Sequence, residues 1–342
     1  MSEPKSRRVT LADVAEASGM SKSAVSMILN DRPGTRLSEE AVKKVRAAAA
    51  ALGYRPDPQA QSLRLGRTKS IGFISDQVTL TRYASAMISG VLDEAKTHER
   101  TVLIAETRGE PDELGPAVDA MLDRRVDGLL IGLMSARMID VPPLPRGVPL
   151  VMVNGRTSRD HPSILPAERV AGGVVAQHLV DAGHRRIGII GDVLRVMDDL
   201  RESVTIPDRF AGMLGVLEGA GIRAERIEVE AWTPFEGYRG AHRMLDEHPD
   251  LTAILACNDN VAFGVYQAFF ERGIRVGEDI SVISFDDEEL AEYQRPGLTT
   301  ARLPYEEMGR RGVRMLLGGS EPAHELVPMP LIVRDSVRTP AS

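Results

Sequence analysis

The chain has 342 residues, 43% of them hydrophobic and 27% charged, a balance that suits two or three globular domains. No apolar run approaches the roughly 20 residues that span a bilayer, and no apolar segment follows the basic residues 1–8, so neither a membrane span nor a secretory signal is expected. The net charge of −7 is uneven: residues 1–69 hold 13 Lys and Arg against 7 Asp and Glu, the remainder 29 against 42, and a basic head on an acidic body is expected to meet a polyanion.

Thr10 is a helix N-cap residue, and Leu11, Val14 and Ala15 fall on one face of a short helix ended by Gly19. Ser21 caps a second helix over 22–29, whose apolar positions Ala24, Val25, Ile28 and Leu29 repeat the helical spacing. A third helix starts at Ser38, with Glu39 and Glu40 at its positive end, and stops at Gly53. Two short helices across a glycine turn, packed on a third, predict a helix-turn-helix. The free face of the second helix carries Lys22, Ser23, Ser26 and Asn30, short donors and acceptors able to reach base edges. A plain three-helix bundle explains neither that face nor the basic arm.

Asp57 and Pro58 suit a helix start, and about two turns can follow from Pro58 to Leu65. So short a helix is marginal in water and is expected to form only when something orders it.

The segment Val9-Thr10-Leu11-Ala12-Asp13-Val14-Ala15, with Val25-Ser26 and Leu29-Asn30, resembles the lactose/galactose repressor (LacI/GalR) family. The stretch Leu52-Gly53-Tyr54-Arg55-Pro56-Asp57-Pro58-Gln59-Ala60-Gln61-Ser62-Leu63-Arg64 is similar to that family's hinge, the most specific part of a likeness that extends over essentially the whole chain. The resemblance implies that paired hinge helices enter the minor groove and that Leu63 wedges into the central base step. It implies DNA contacts by Thr10, Lys22, Ser23, Ser26, Met27, Asn30, Tyr54, Ala60 and Leu63. Met27 stands where the family often has Arg or His. The loop 31–36 is two residues longer than in the lactose repressor, and its Arg32 and Arg36 could touch phosphates.

From Ser70 onward apolar runs alternate with helical patterns. Strands are expected near 71–75, 101–106, 128–132, 150–154, 187–191, 253–257 and 281–285, with a short one at 227–230. Helices are expected near 84–97, 169–182, 207–220, 260–272 and 305–317. This alternation predicts an α/β fold of doubly wound parallel sheets, too many units for one sheet and so divided between two lobes. Such a core resembles the periplasmic-binding-protein-like core of the same family. The resemblance divides the chain into a DNA-binding domain over 1–57, a hinge over 58–69 and a core over 70–342. It implies crossovers near Pro166, Leu298 and Glu325, which give lobe one residues 70–166 and 299–325 and lobe two the rest.

Ligands bind beyond the carboxyl ends of parallel strands. Asp76, Asn154, Asn258 and Asp286 stand at such ends, Arg209 at a helix start, where a cation does not help the helix, and Trp232, the only tryptophan, follows a strand. Each matches a ligand-contact position of the resembled family. Planar Asp, Asn and Arg groups suit vicinal hydroxyls, and Trp suits the C–H face of a sugar. Cap or turn roles for Asp76, Asn154 and Asn258 are equally open. Tyr83 and Phe235 could add aromatic walls. The family's usual polar contact looks missing at Leu165-Pro166-Ala167-Glu168.

The reading that follows is a cytoplasmic, dimeric repressor of double-stranded operator DNA, near-palindromic by two-fold symmetry, gated by a sugar-like effector that releases DNA. A nucleoside or organic acid could use the same Arg209 and Asp286. A solute-binding protein fits neither the basic head nor the lack of a signal. An enzyme would need a motif such as GxSxG, a P-loop or GxGxxG, none of which occurs, and the cluster Asp286-Asp287-Glu288-Glu289 reads as a solvated loop. The lone Cys257 excludes an internal disulfide and suits a reducing compartment, and no cofactor or metal is implied. Only five residues follow Val337, too few for a tetramerising heptad tail.

Overall fold

The computed structural model describes residues 9–30, 37–55, 67–77, 82–318 and 324–340, without the side chains of 82–84. It divides into two units, Met1–Lys69 and Ser70–Ser342.

In the first unit, helix α1 (Leu11–Ser18) starts from a reciprocal cap. The Thr10 hydroxyl accepts the Asp13 amide at 3.4 Å, and the Asp13 carboxylate accepts the Thr10 amide at 2.7 Å. Gly19, at φ 63°, turns the chain into α2 (Lys22–Leu29), whose Ser21 cap accepts the Ala24 amide. Ser38 caps α3 (Glu39–Ala51) in the same way. Helices this short need packing partners. Val14, Ala15, Val25, Ile28, Val45 and Ala49 supply them as one buried core.

The second unit runs β1 (Ser70–Ser75), α4 (Arg82–Thr97), β2 (Thr101–Glu106), α5 (Leu114–Asp123), β3 (Leu129–Ile139), β4 (Leu150–Thr157), β5 (Ser163–Pro166) and α6 (Glu168–Asp181). It continues with β6 (Ile187–Asp192), α7 (Leu194–Asp198), α8 (Ile206–Gly219), β7 (Glu225–Glu228), α9 (Pro234–Glu247), β8 (Ala253–Ala256), α10 (Asp259–Arg272) and β9 (Ser281–Asp286). It ends with α11 (Glu289–Tyr293), β10 (Thr299–Arg302), α12 (Tyr305–Gly318), β11 (His324–Val327) and β12 (Leu331–Ile332).

These strands form two sheets. The first has the order β11-β5-β4-β3-β1-β2 and is parallel throughout. The second has the order β12-β10-β9-β8-β6-β7, parallel except for β12 against β10. β1 and β6 are buried along their whole length, which is why they read as unbroken apolar runs.

The chain passes between the sheets three times. The first passage follows Pro166. The second does not lie near Leu298: β10 pairs with β9, so residues 299–302 complete the second sheet and the passage falls at Leu303-Pro304. The third follows Val327 rather than Glu325, because β11 is the edge strand of the first sheet. Both differences come from four-residue strands that themselves contain Thr, Arg or His and so lack the apolar run that betrays a central strand.

Helices α6 and α8 touch backbone to backbone. A Cβ on Gly172 would strike the Arg209 carbonyl, and one on Gly212 the Arg169 carbonyl. This approach sets the first turn of α6 beside the first turn of α8, where the site lies.

Candidate functional site

A cavity of about 480 Å³ opens at the carboxyl ends of strands from both sheets. Its wall includes Gln77, Asn154, Glu168, Arg209, Trp232, Asn258, Asp286 and Tyr305.

Arg209, only 2% exposed, is the centre of this wall. Its Nε and Nη2 each donate to a Glu168 carboxylate oxygen at 2.7 Å, and its Nη1 donates to the Cys257 carbonyl at 2.6 Å. The guanidinium lies 4.3 Å from the Phe285 ring centre and 5.3 Å from that of Trp232. Burial opposes its charge, but Glu168 more than offsets that and holds the group firmly protonated. A charge at a helix start that looked unfavourable in the sequence is thus balanced by the carboxylate that opens α6. No polar contact is missing there: Pro166 ends β5, and Glu168, 3% exposed, delivers its carboxylate into the cavity wall.

Asp286 ends β9 at φ 109°, followed by Asp287 at φ 52°, a pair of backbone conformations rare for side-chain-bearing residues. Asp287 holds this turn by accepting from Arg302 and Arg334, each at 2.7 Å. The turn leaves an Asp286 oxygen 3.8 Å from Arg209 Nη2. Burial, against the pull of Arg209, raises the Asp286 carboxyl well above its usual range. The Trp232 indole N–H donates to the Gly191 carbonyl at 2.7 Å, which fixes its ring in the wall.

Asn154 sits at φ 57° and donates its amide to the Leu133 carbonyl at 2.8 Å, while its buried Oδ1 has no partner. Asn258 lines the cavity and also caps α10, its Oδ1 accepting the Val261 amide at 2.8 Å. So Asn154, Arg209, Trp232, Asn258 and Asp286 converge on one cavity. Asp76 does not join them. It accepts the Met134 amide at 3.0 Å and Arg137 at 2.7 Å, and it lines a separate cavity of about 270 Å³ with Thr107 and Arg201. Phe235 is 65% exposed and stands outside the wall. The side chain of Tyr83 lies outside the described residues.

Glu168, Gln77 and Tyr305 were missed in the sequence. Tyr305 opens α12 and donates its hydroxyl to the Met134 carbonyl at 2.9 Å. Only its position just after a passage between sheets could have drawn attention to it. Asp259, beside Asn258, is fully buried and accepts from Thr300 at 2.8 Å, from the Glu288 amide at 2.7 Å and from Ser284. It ties β9, β10 and the Asp286 turn together, and burial pushes its carboxyl up to about 7. Burial likewise pushes the Cys257 thiol up to about 12. Among the described residues no cluster of His, Cys, Asp and Glu could hold a metal ion.

In the first unit Lys22 and Ser23 are exposed on α2, and Ser26 and Met27 are half-buried. Asn30 donates to the Ser26 carbonyl at 2.6 Å, and Thr10 and Asp13 are engaged in the cap. Tyr54 packs on the head core. Ala60, Leu63 and the expected hinge helix lie outside the described residues, as do Arg32 and Arg36. Also among the described residues, no helix is long and apolar enough to cross a membrane.

A helix-turn-helix head followed by a two-lobed α/β core with a polar cleft defines a ligand-responsive regulator of transcription. Residues 10–57 match the model of bacterial regulatory proteins, lacI family, and residues 176–337 match the periplasmic binding protein-like domain. The ribose operon repressor of Haemophilus influenzae is 32% identical over 312 residues, 90% of this chain and 91% of that protein. The HTH-type transcriptional repressor PurR of Mannheimia succiniciproducens is 30% identical over 90% of each chain. The lac repressor dimer, solved bound to operator and the anti-inducer ONPF, aligns with a TM-score of 0.78 at 28% identity, covering 97% of this chain and all of that one. The chain belongs to the lacI family of bacterial regulatory proteins and is a transcriptional repressor.

Proposed function

We propose that the chain acts in the cytoplasm as a homodimer on a near-palindromic operator, and that a neutral, hydroxyl-rich, sugar-like effector in the cleft releases it from DNA. The observation that carries the effector class is the state of Arg209. Three of its N–H groups are already committed, two of them to the Glu168 carboxylate. An anionic ligand would have to compete with that buried pair. What the wall offers instead is an acceptor without a partner, Asn154 Oδ1, a carboxyl at Asp286 and the face of Trp232. Those groups suit hydroxyl donors and a sugar's C–H face. The likeness to a ribose operon repressor supports the same class.

Phe263, Gln267 and Phe270 form a stripe along α10 at helical spacing, with Phe270 83% exposed. Such a face supports burial against a second copy, as does the likeness to the lac repressor dimer. Two heads related by a two-fold axis then read two half-sites.

The test is Trp232 fluorescence, titrated with neutral sugars, sugar acids and nucleosides, with and without an operator-like duplex. The expected result is a saturable response to a neutral sugar, weaker when duplex is bound, since coupling between the two sites is reciprocal. A response to sugar acids or nucleosides alone would overturn the effector class. A tighter response with duplex would reverse the direction of the switch.

A further inference from the structure

Between β6 and α8 the second lobe sends out a strap, residues 193–205, that contains the short helix α7. The strap supplies Val193, Arg195, Val196, Glu202, Ser203 and Thr205 to the cavity wall. It also reaches the first lobe. The Val204 amide donates to the Ala136 carbonyl at 2.7 Å, and the Met138 amide donates to the Leu200 carbonyl at 2.8 Å. Both lie toward the far end of β3, Ala136 within the register shift between Gly132 and Arg137 that interrupts the pairing with β4, and Met138 just beyond it. Arg201 adds an ion pair to Asp140 at 2.9 Å, and Asp140 also accepts from Ser158. Two main-chain bonds and an ion pair therefore run from one lobe to the other along one side of the cavity.

We infer that this strap is the gate of the effector cavity, latched to β3 across the lobe junction. The inference rests on the cavity being the effector site. An exposed ion pair alone is worth little. The main-chain bonds give the latch its geometry, because they fix the strap's path whatever its side chains do. Ser203 strengthens that path: its Oγ accepts the amides of Thr205 and Ile206 at 3.2 and 3.0 Å, binding the strap's end to the start of α8. Arg209 projects from the first turns of the same helix. The gate and the buried Arg209–Glu168 pair thus share one rigid element, and entry of a ligand is mechanically tied to the wall it meets.

Two measurements on the full-length protein test this without any effector. The first is hydrogen exchange at the Val204 and Met138 amides. A latch predicts exchange at least ten-fold slower than in an unprotected loop. The second is quenching by acrylamide, a small neutral probe, of Trp232, the sole tryptophan. Val204→Pro removes one latch donor and Arg201→Ala the ion pair, and together they are expected to raise the quenching constant two-fold or more. Unprotected amides overturn the inference, and so does unchanged quenching in a folded variant. If the double variant does not fold, amide exchange in the unaltered protein decides alone. Failure of the sugar titration would leave both readouts untouched and would bear only on effector identity.

Discussion

Glu168 and Arg209 face each other through two parallel hydrogen bonds of 2.7 Å, both side chains almost wholly removed from water. Removing one member of such a pair strands a buried charge, at a cost of about 3–5 kcal/mol. Glu168→Ala should therefore lower unfolding stability by that order in urea titrations. Combining Glu168→Leu with Arg209→Met should recover most of the loss while abolishing the Trp232 effector response. Equal stability of Glu168→Ala and the unaltered chain would show the pair to be energetically idle.

Stability should also depend on pH through Asp259. Its carboxyl stands at about 7 when folded against 3.8 unfolded, so between those values the folded chain holds a proton that the unfolded chain has released. Stability then falls as pH rises through this window, by at most about 1.4 kcal/mol per pH unit. The raised Asp286 carboxyl acts with the same sign. Asp259→Asn should flatten the slope. Denaturation midpoints from pH 4.5 to 7.5 decide the matter, and a slope unchanged in the variant would assign it to other groups.

In the head, Lys22 is exposed at the start of α2. If it meets a phosphate, Lys22→Ala should weaken binding to all duplexes alike and reduce the slope of log K against log salt by about 1. Fluorescence anisotropy on operator-like and scrambled duplexes at several salt concentrations measures this. A loss confined to one sequence would instead place Lys22 on a base edge.

Phe270 offers the test of assembly. Phe270→Glu places a charge on the exposed stripe of α10 and should shift the chain from dimer to monomer at micromolar concentration, read by light scattering. An unchanged dimer would move the interface elsewhere.

Much of this arrangement was legible in the sequence because it rests on local chemistry. Thr10, Gly19, Ser21 and Ser38 announce the head helices by caps and turns that need no distant partner. β1, β6 and β9 announce themselves as apolar runs because both faces of the sheet are covered. Asn154, Asn258, Asp286 and Trp232 could be named because polar or aromatic residues at strand ends have few places to point. What stayed hidden depends on contacts distant in the chain. Glu168 pairs with a residue 41 positions away, and only the close approach of Gly172 to α8 makes the pair possible. Asp76 has the right position on its strand, yet Arg137, brought round by the bent end of β3, turns it aside. The strap's bonds to Ala136 and Met138 are main-chain contacts without a side-chain signature.

The three passages between the sheets bear on how the chain is made. The first sheet lacks its edge strand until Val327 has been synthesised, and the second lacks β12 until Ile332. Neither lobe is complete until β11 and β12 have been synthesised, whereas the three head helices are finished by Ala51. The DNA-reading unit can therefore fold early, while each sheet of the second unit waits for the edge strand that completes it.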